Sequence, residues 1–269
     1  MSSADTSRPF AVVTGASSGI GLELAKEFAA GGYDVLVAAE DERITAVPAE
    51  LLDVEPRAVV DAVRVDLSTA AGVEQLWATA TAGGRAVDAV AVHAGVGVGG
   101  EFVETSLEDE LHLIDLNVVS FVHLAKLAAR SMVQRGEGRI LITSSLAARV
   151  PAPYQAVYGA SKAFAQSLAQ SLRQELEQKG VVVTAFLPGP TDTEFFERAD
   201  MQDTKMGQTS AKDDPATVAR QAFKALQKGR DHVVTGSLGT KLQAAAANLL
   251  PNAPLAKAQG ELAEPGSAD

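Results

Sequence analysis

Tyr158 and Lys162 stand four residues apart in the run YGASK, at the start of a segment with helical period. That spacing puts both side chains on one helix face. A phenol with a pKa of about 10 is a poor base at neutral pH, so it needs a nearby cation. One ammonium ~4 Å away, at an effective dielectric of roughly 20, supplies about 4 kcal/mol, enough to bring the phenol near neutrality. Tyr158 therefore reads as a general acid/base tuned by Lys162. An isolated pair of this kind is more often a surface feature. Here Ser145 lies thirteen residues upstream in the run ITSSL, with Ser144 beside it as the structural or capping hydroxyl.

Those residues need a scaffold, and the chain alternates Val-rich runs with longer segments of helical period. That is the pattern of a parallel sheet covered by helices. Strands are expected over Phe10–Thr14, Tyr33–Ala39, Ala62–Val65, Val87–Val92, Arg139–Thr143, Val181–Leu187 and His232–Thr235. Helices are expected from Ile20 to Ala30, loosely from Asp41 to Leu52 around Pro48, and from Thr69 to Thr81 with Ser68 as N-cap. Further helices are expected over Leu107–Arg135 as one long amphipathic rod, Ala156–Lys179, Pro215–Gln227 and the Ala-rich Leu238–Leu250. Thr193–Asp213 shows no period and reads as a mobile lid, and the last dozen residues read as disordered. The expected architecture is a doubly wound, Rossmann-like α/β fold with a mostly seven-stranded parallel sheet. It forms one dinucleotide-binding domain over 1–269, with its core at about 10–236 and a C-terminal helix and tail over 237–269.

Between the first strand and its helix lies TGASSGIG, Thr14 to Gly21. Gly15 suits the tight turn, Gly19 lets backbone approach a pyrophosphate, and Gly21 lets helix pack on strand. The helix N-terminus then offers unpaired N–H groups to phosphate. With three residues between Gly15 and Gly19, this turn resembles that of the short-chain dehydrogenase/reductase family, and the resemblance runs from about Phe10 to Thr235.

The resemblance implies roles for single residues. Ser145 would polarise the substrate oxygen, Tyr158 exchange the proton, and Lys162 lower the tyrosine pKa while binding the ribose. Asn117, in the run DLNV, would bend its helix and complete the proton relay. Asp66 would accept from the adenine amino group, and the segment PGPTDT would hold the nicotinamide carboxamide through backbone after Pro188 and through Thr193, with Thr191 a less direct partner. Ser17, Ser18, Ile20, Leu67, Ala94, Gly95 and Gly189 complete the expected cofactor contacts. After the second strand come Ala39, Glu40 and Asp41. Glu40 can accept from a free 2′-hydroxyl and two carboxylates repel a 2′-phosphate, so NAD is preferred, with NADP open because Arg43 lies one turn further on. Where the family has Asn-Ala-Gly, this chain has His93-Ala94-Gly95, read as a structural exchange.

Composition narrows the alternatives. Asp and Glu number 34 against 23 Lys and Arg, a net charge of −11, which disfavours nucleic acid and anionic membranes as partners. No cysteine is present, so thiol catalysis and thiolate metal sites are excluded, and the four histidines lack metal-ligand spacing. No run approaches the ~18 consecutive apolar residues of a membrane span, and Met1–Pro9 is short and polar. A cytoplasmic enzyme acting on a small alcohol or carbonyl is expected, as a homodimer or homotetramer built on the two long helices. A weakly catalytic dinucleotide sensor or scaffold is the alternative, and an epimerase or dehydratase ranks behind it. Phe195, Phe196, Met201, Leu146, Val150 and Tyr154 suggest an apolar substrate pocket.

Overall fold

Valine and alanine runs that are apolar on both faces can only sit inside a sheet covered on both sides. In the computed structural model, which describes residues 8–247 and 250–268, they do so. The strands are β1 (Phe10–Thr14), β2 (Asp34–Ala39), β3 (Val60–Arg64), β4 (Ala89–Val92), β5 (Gly138–Thr143), β6 (Val181–Pro188) and β7 (His232–Thr235). They form one seven-stranded sheet in the order β3-β2-β1-β4-β5-β6-β7. Every pairing is parallel, with Val12 opposite both Leu36 and Val90. The chain winds outward one way from β1 through β3 and then the other way from β4. The cleft at this reversal, outside the carboxyl ends of β1 and β4, is where such sheets hold ligands.

Helices α1 (Gly19–Ala30), α2 (Val47–Val54) and α9 (Pro215–Gln227) cover one face, burying Leu24, Phe28 and Ala222 against Val13, Val35 and Phe186. On the other face lie α3 (Ala70–Ala80), α4 (Leu107–Ile114), α5 (Ser120–Arg135) and α6 (Ala156–Leu176), with Leu76, Phe121, Leu124 and Ala165 packed on Val12, Val90 and Ile140. The rest of the described chain gathers at the carboxyl edge. It comprises α7 (Phe195–Arg198), α8 (Lys205–Gln208), α10 (Leu238–Ala247) and α11 (Asn252–Ala263).

Several sequence expectations need correction. The segment after Asp41 opens as a 3-10 turn, Glu42–Thr45, and α2 starts only at Val47, so Pro48 falls in the first turn, where no N–H is needed. Thr69, not Ser68, caps α3 by accepting from the Gly72 N–H at 3.0 Å, because Ser68 is committed to Asp66. The long helix is interrupted by a π-helical turn, Asp115–Val119, between α4 and α5. The expected lid contains α7 and α8, tied down by burial of Phe196 and Met201. The first half of the expected disordered end, up to Ala263, belongs to α11, Ala263 itself being buried, and Asp269 lies outside the described residues. Met1–Ser7 and residues 248–249 of the expected tail helix lie outside the described residues.

By length and composition, Leu107–Arg135 is long and apolar enough to cross a membrane. It carries Asp115, Asn117 and Lys126, however, and its inner side is buried in the core described above.

Candidate active site

At the reversal point, Thr14 ties β1 to the end of β4. Its hydroxyl donates to the Ala91 carbonyl at 3.1 Å and accepts from the N–H groups of His93 (2.9 Å) and Ala94 (3.0 Å). The chain then turns through Gly15 (φ +66°) and Gly19 (φ +56°), left-handed conformations that favour glycine. Side chains are also excluded by space. A Cβ on Gly15 would come within 2.8 Å of Ala94 Cα, and one on Gly21 would run into the carbonyl oxygen of Gly15. Ser18 caps α1 in extended conformation without a side-chain bond, so the helix N–H groups remain available toward the cleft. A glycine cradle at a helix N-terminus fits the pyrophosphate of a dinucleotide.

A cavity of about 1330 Å³ opens from this turn. It is lined by Gly15, Ser17, Ser18, Gly19, Ile20, Glu40, Asp66, Leu67, Ala94, Gly95, Ser145, Tyr158, Lys162, Pro188, Gly189, Thr191 and Thr193, which brings nearly every expected site residue together. Gly21 and Asn117 sit behind the wall. Asp66 accepts from the Ser68 N–H and hydroxyl at 2.8 and 2.7 Å through a single oxygen, Oδ1. Thr191 donates to the Gly189 carbonyl at 2.9 Å, which uses its proton locally, while Thr193 packs its methyl toward Gly19.

Near Glu40 the structure adds an ion cluster that the sequence did not reveal. Arg43 grips both carboxylate oxygens of Glu194, at 2.7 and 3.0 Å, and also bonds Asp41; Arg198 bonds Glu194 and lies 3.6 Å from Asp41. The Arg43 guanidinium holds both the Asp41 and Glu194 carboxyls down to about 2.

Ser145 ends the β5 connection and accepts from the Ala147 N–H at 3.2 Å, opening a 3-10 turn over Leu146–Ala148. Ser144 is structural: it donates to the Lys162 carbonyl at 2.8 Å and so fastens α6 to β5. Tyr158 and Lys162 lie in the first two turns of α6 and share the cavity. The Tyr158 phenol is pushed up to about 12 by burial, with the Ser145 hydroxyl opposing as a hydrogen-bond partner. This corrects the expectation of a phenol near neutrality. The Lys162 ammonium is 5.7 Å from the Tyr158 ring centroid. Burial lowers its own pKa to about 8, which leaves it mostly charged at neutral pH, and desolvation still dominates the phenol.

Asn117 stands in the π-helical turn with its amide fully used. It donates to the Val96 carbonyl (2.9 Å) and Ser161 hydroxyl (3.1 Å) and accepts from the Val96 N–H (3.0 Å), locking the segment after β4 to α6. His93 bonds Thr143 Oγ1 through Nδ1 at 3.0 Å and stacks on Phe186. Burial drives its pKa down to about 3, so the imidazole is neutral and bridges β4 to β5.

Of the residues expected to form an apolar pocket, Leu146, Val150, Phe195 and Phe196 line the cavity while Met201 and Tyr154 do not, and the part of the wall built by α10 and α11 was not foreseen. Asp213 is buried and accepts from the Ser237 N–H (2.8 Å) and Thr240 hydroxyl (2.6 Å), pinning α10 over the cavity. Tyr154 adopts φ +62°, unusual for a bulky residue, and meets Gly260 of α11. The one signal in sequence was the acidic pair Asp213-Asp214 immediately before Pro215, of which Asp214 caps α9.

Fold and cavity together define a protein with a cradle suited to a dinucleotide beside a Ser–Tyr–Lys group in which Lys162 is buried and Ser145 and Tyr158 are half-buried. A sequence profile described as short chain dehydrogenase matches residues 9–204. The chain is 30% identical over 238 residues to Dehydrogenase/reductase SDR family member 7B of Danio rerio, covering 85% of this chain and 77% of that protein. It is 30% identical over 235 residues to Oxidoreductase UcpA of Salmonella typhimurium, covering 86% of each. A short-chain dehydrogenase from Sphingobium yanoikuyae, solved in complex with NADPH, superposes with a TM-score of 0.79 at 29% identity, covering 90% of this chain and 93% of that one. The chain belongs to the short-chain dehydrogenase/reductase family and is an NAD(P)-binding oxidoreductase of that type.

Proposed function

We propose that this oxidoreductase is an alcohol dehydrogenase or carbonyl reductase in which Tyr158 is the general acid/base. The observation that carries the reading is the meeting of Ser145, Tyr158 and Lys162 in one cavity with the glycine turn. Gly15–Gly21, Asp66 and the segment from Pro188 to Thr193 would hold the nicotinamide cofactor, which when bound would supply or accept the hydride. Ser145, already beside the phenol, holds the substrate oxygen. With its proton retained at neutral pH, the phenol is a ready donor to a carbonyl oxygen, and Lys162 favours the phenolate once proton transfer begins. Asn117 keeps Lys162 and the segment after β4 in register for proton return. Expected for Tyr158→Phe is loss of turnover by about 10²–10⁴-fold with dinucleotide binding retained; turnover that survives overturns the assignment.

We propose NAD as the preferred cofactor. Glu40, Asp41 and Glu194 line the cavity beyond the end of β2, where they would repel a 2′-phosphate, and the guanidiniums of Arg43 and Arg198 there are already occupied by carboxylates. NADP is the second reading, favoured by the placement of Arg43 and Arg198 on the cavity wall. Parallel fluorescence titrations with NADH and NADPH distinguish the two.

A further inference from the structure

Beyond Tyr158 the cavity continues under a mostly apolar wall. Leu146 and Val150 come from the loop after β5, Met206 from α8, and Leu255 and Leu262 from α11. The whole cavity, about 1330 Å³, takes in the dinucleotide cradle as well as this end. The roof is anchored at its end: Gly266 N–H donates to the Asp203 carboxylate at 2.7 Å, Ala268 N–H to the Asp203 carbonyl at 2.9 Å, and Lys205 N–H to the Ser267 hydroxyl at 3.1 Å. Such a chamber suits a bulky apolar ligand.

Arg149 breaks the apolar pattern. Four residues after Ser145, it ends the 3-10 turn and lines the same cavity. It is half-buried, and burial alone lowers its pKa. Among the described residues its guanidinium has no hydrogen bond or ion pair, whereas Arg43 and Arg198 on the same cavity are held by Asp41 and Glu194. Lys205, at the rim, is exposed to water. A guanidinium keeps its charge at any working pH and offers five N–H donors in a fork. The fork is unbonded and still reached by water, so it is available to a carboxylate through two parallel bonds.

We infer that the substrate joins a bulky apolar body to an anionic group, in its simplest form a carboxylate, and that Arg149 receives the anion while the reacting carbon faces Tyr158. This rests on the redox reading above. The test uses a matched pair, a long-chain or polycyclic oxo acid and its methyl ester, turned over by the full chain with its preferred cofactor. The expected kcat/KM favours the acid by about tenfold or more, the ratio falls to near one in Arg149→Ala, and Arg149→Lys restores part of it. A ratio near one in the unaltered protein, or one that Arg149→Ala leaves in place, overturns the assignment. Both substrates are compared on the same protein, so reduced folding of a variant cannot imitate the result. Should neither be turned over, the carbonyl-reductase reading fails for this substrate class. Calorimetric titration of the acid then decides the anion site separately: tighter binding to the unaltered protein than to Arg149→Ala supports it, and equal or absent binding overturns it.

Discussion

At the glycine turn the cavity wall is main chain, fixed by β1, α1 and the end of β4, whereas at the far end it is side chains carried by α8, α10 and α11. The first region has almost no freedom. Gly15, Gly21 and Gly95 each stand where a single added carbon would strike a neighbour. The second is held by a few hydrogen bonds from Asp203 and Asp213 and by Ala263 packed among Phe196, Ala199 and Met201. Cofactor recognition is thus built into the sheet, and substrate shape is set by elements added to its edge. Damage to each should appear in a different measurement.

The largest effect is expected at Gly21→Ala. Its methyl group would press on the Gly15 carbonyl and push apart the turn and the helix. A displacement costing about 3 kcal/mol weakens dinucleotide binding about 100-fold, and a fluorescence titration with NADH reads it directly. Binding within a few-fold of the original would mean that the turn is softer than its contacts imply. Next comes Asp213→Ala, which leaves the Ser237 N–H and Thr240 hydroxyl without their buried charged acceptor. A stability loss of about 2 kcal/mol is expected by denaturant titration, together with a raised KM for bulky substrates and retained dinucleotide affinity. A fall in dinucleotide affinity as large as the rise in KM would erase the distinction between the two ends.

At neutral pH the smallest effect lies at His93, on the floor shared by both ends, and it emerges only in acid. The folded protein keeps this imidazole neutral to about pH 3, whereas the unfolded chain takes up a proton below about 6.5. The stability it contributes is therefore complete above about 6.5 and is lost as pH falls through that window. His93→Asn should flatten this part of the acid limb, seen as denaturant midpoints between pH 7 and 4. An unchanged slope would show that the buried imidazole is not what the acid limb reports.

How much of this was legible in the sequence follows the same division. The glycine turn, Tyr158, Lys162 and Ser145 could be placed because their chemistry depends on spacing within one strand, turn or helix, and the bounds of α9 and β7 match the expected ones residue for residue. The bond between Arg43 and Glu194 joins residues 151 apart, and nothing local announces it. Likewise α7, α8 and α11 are short or Ala-rich, with weak periodicity, and their docking is decided by Phe196, Met201 and Ala263 meeting in space. Spacing also identified the cation beside Tyr158 but not the depth of burial, and burial sets the proton affinity of both groups.

Because the last two helices are fastened mainly near Asp203 and Asp213, most of the stretch from Leu238 onward can be altered with little strain on the sheet. Thr240 is the exception: its methyl abuts Gly189, so a larger side chain there would press on both ends of the cavity at once.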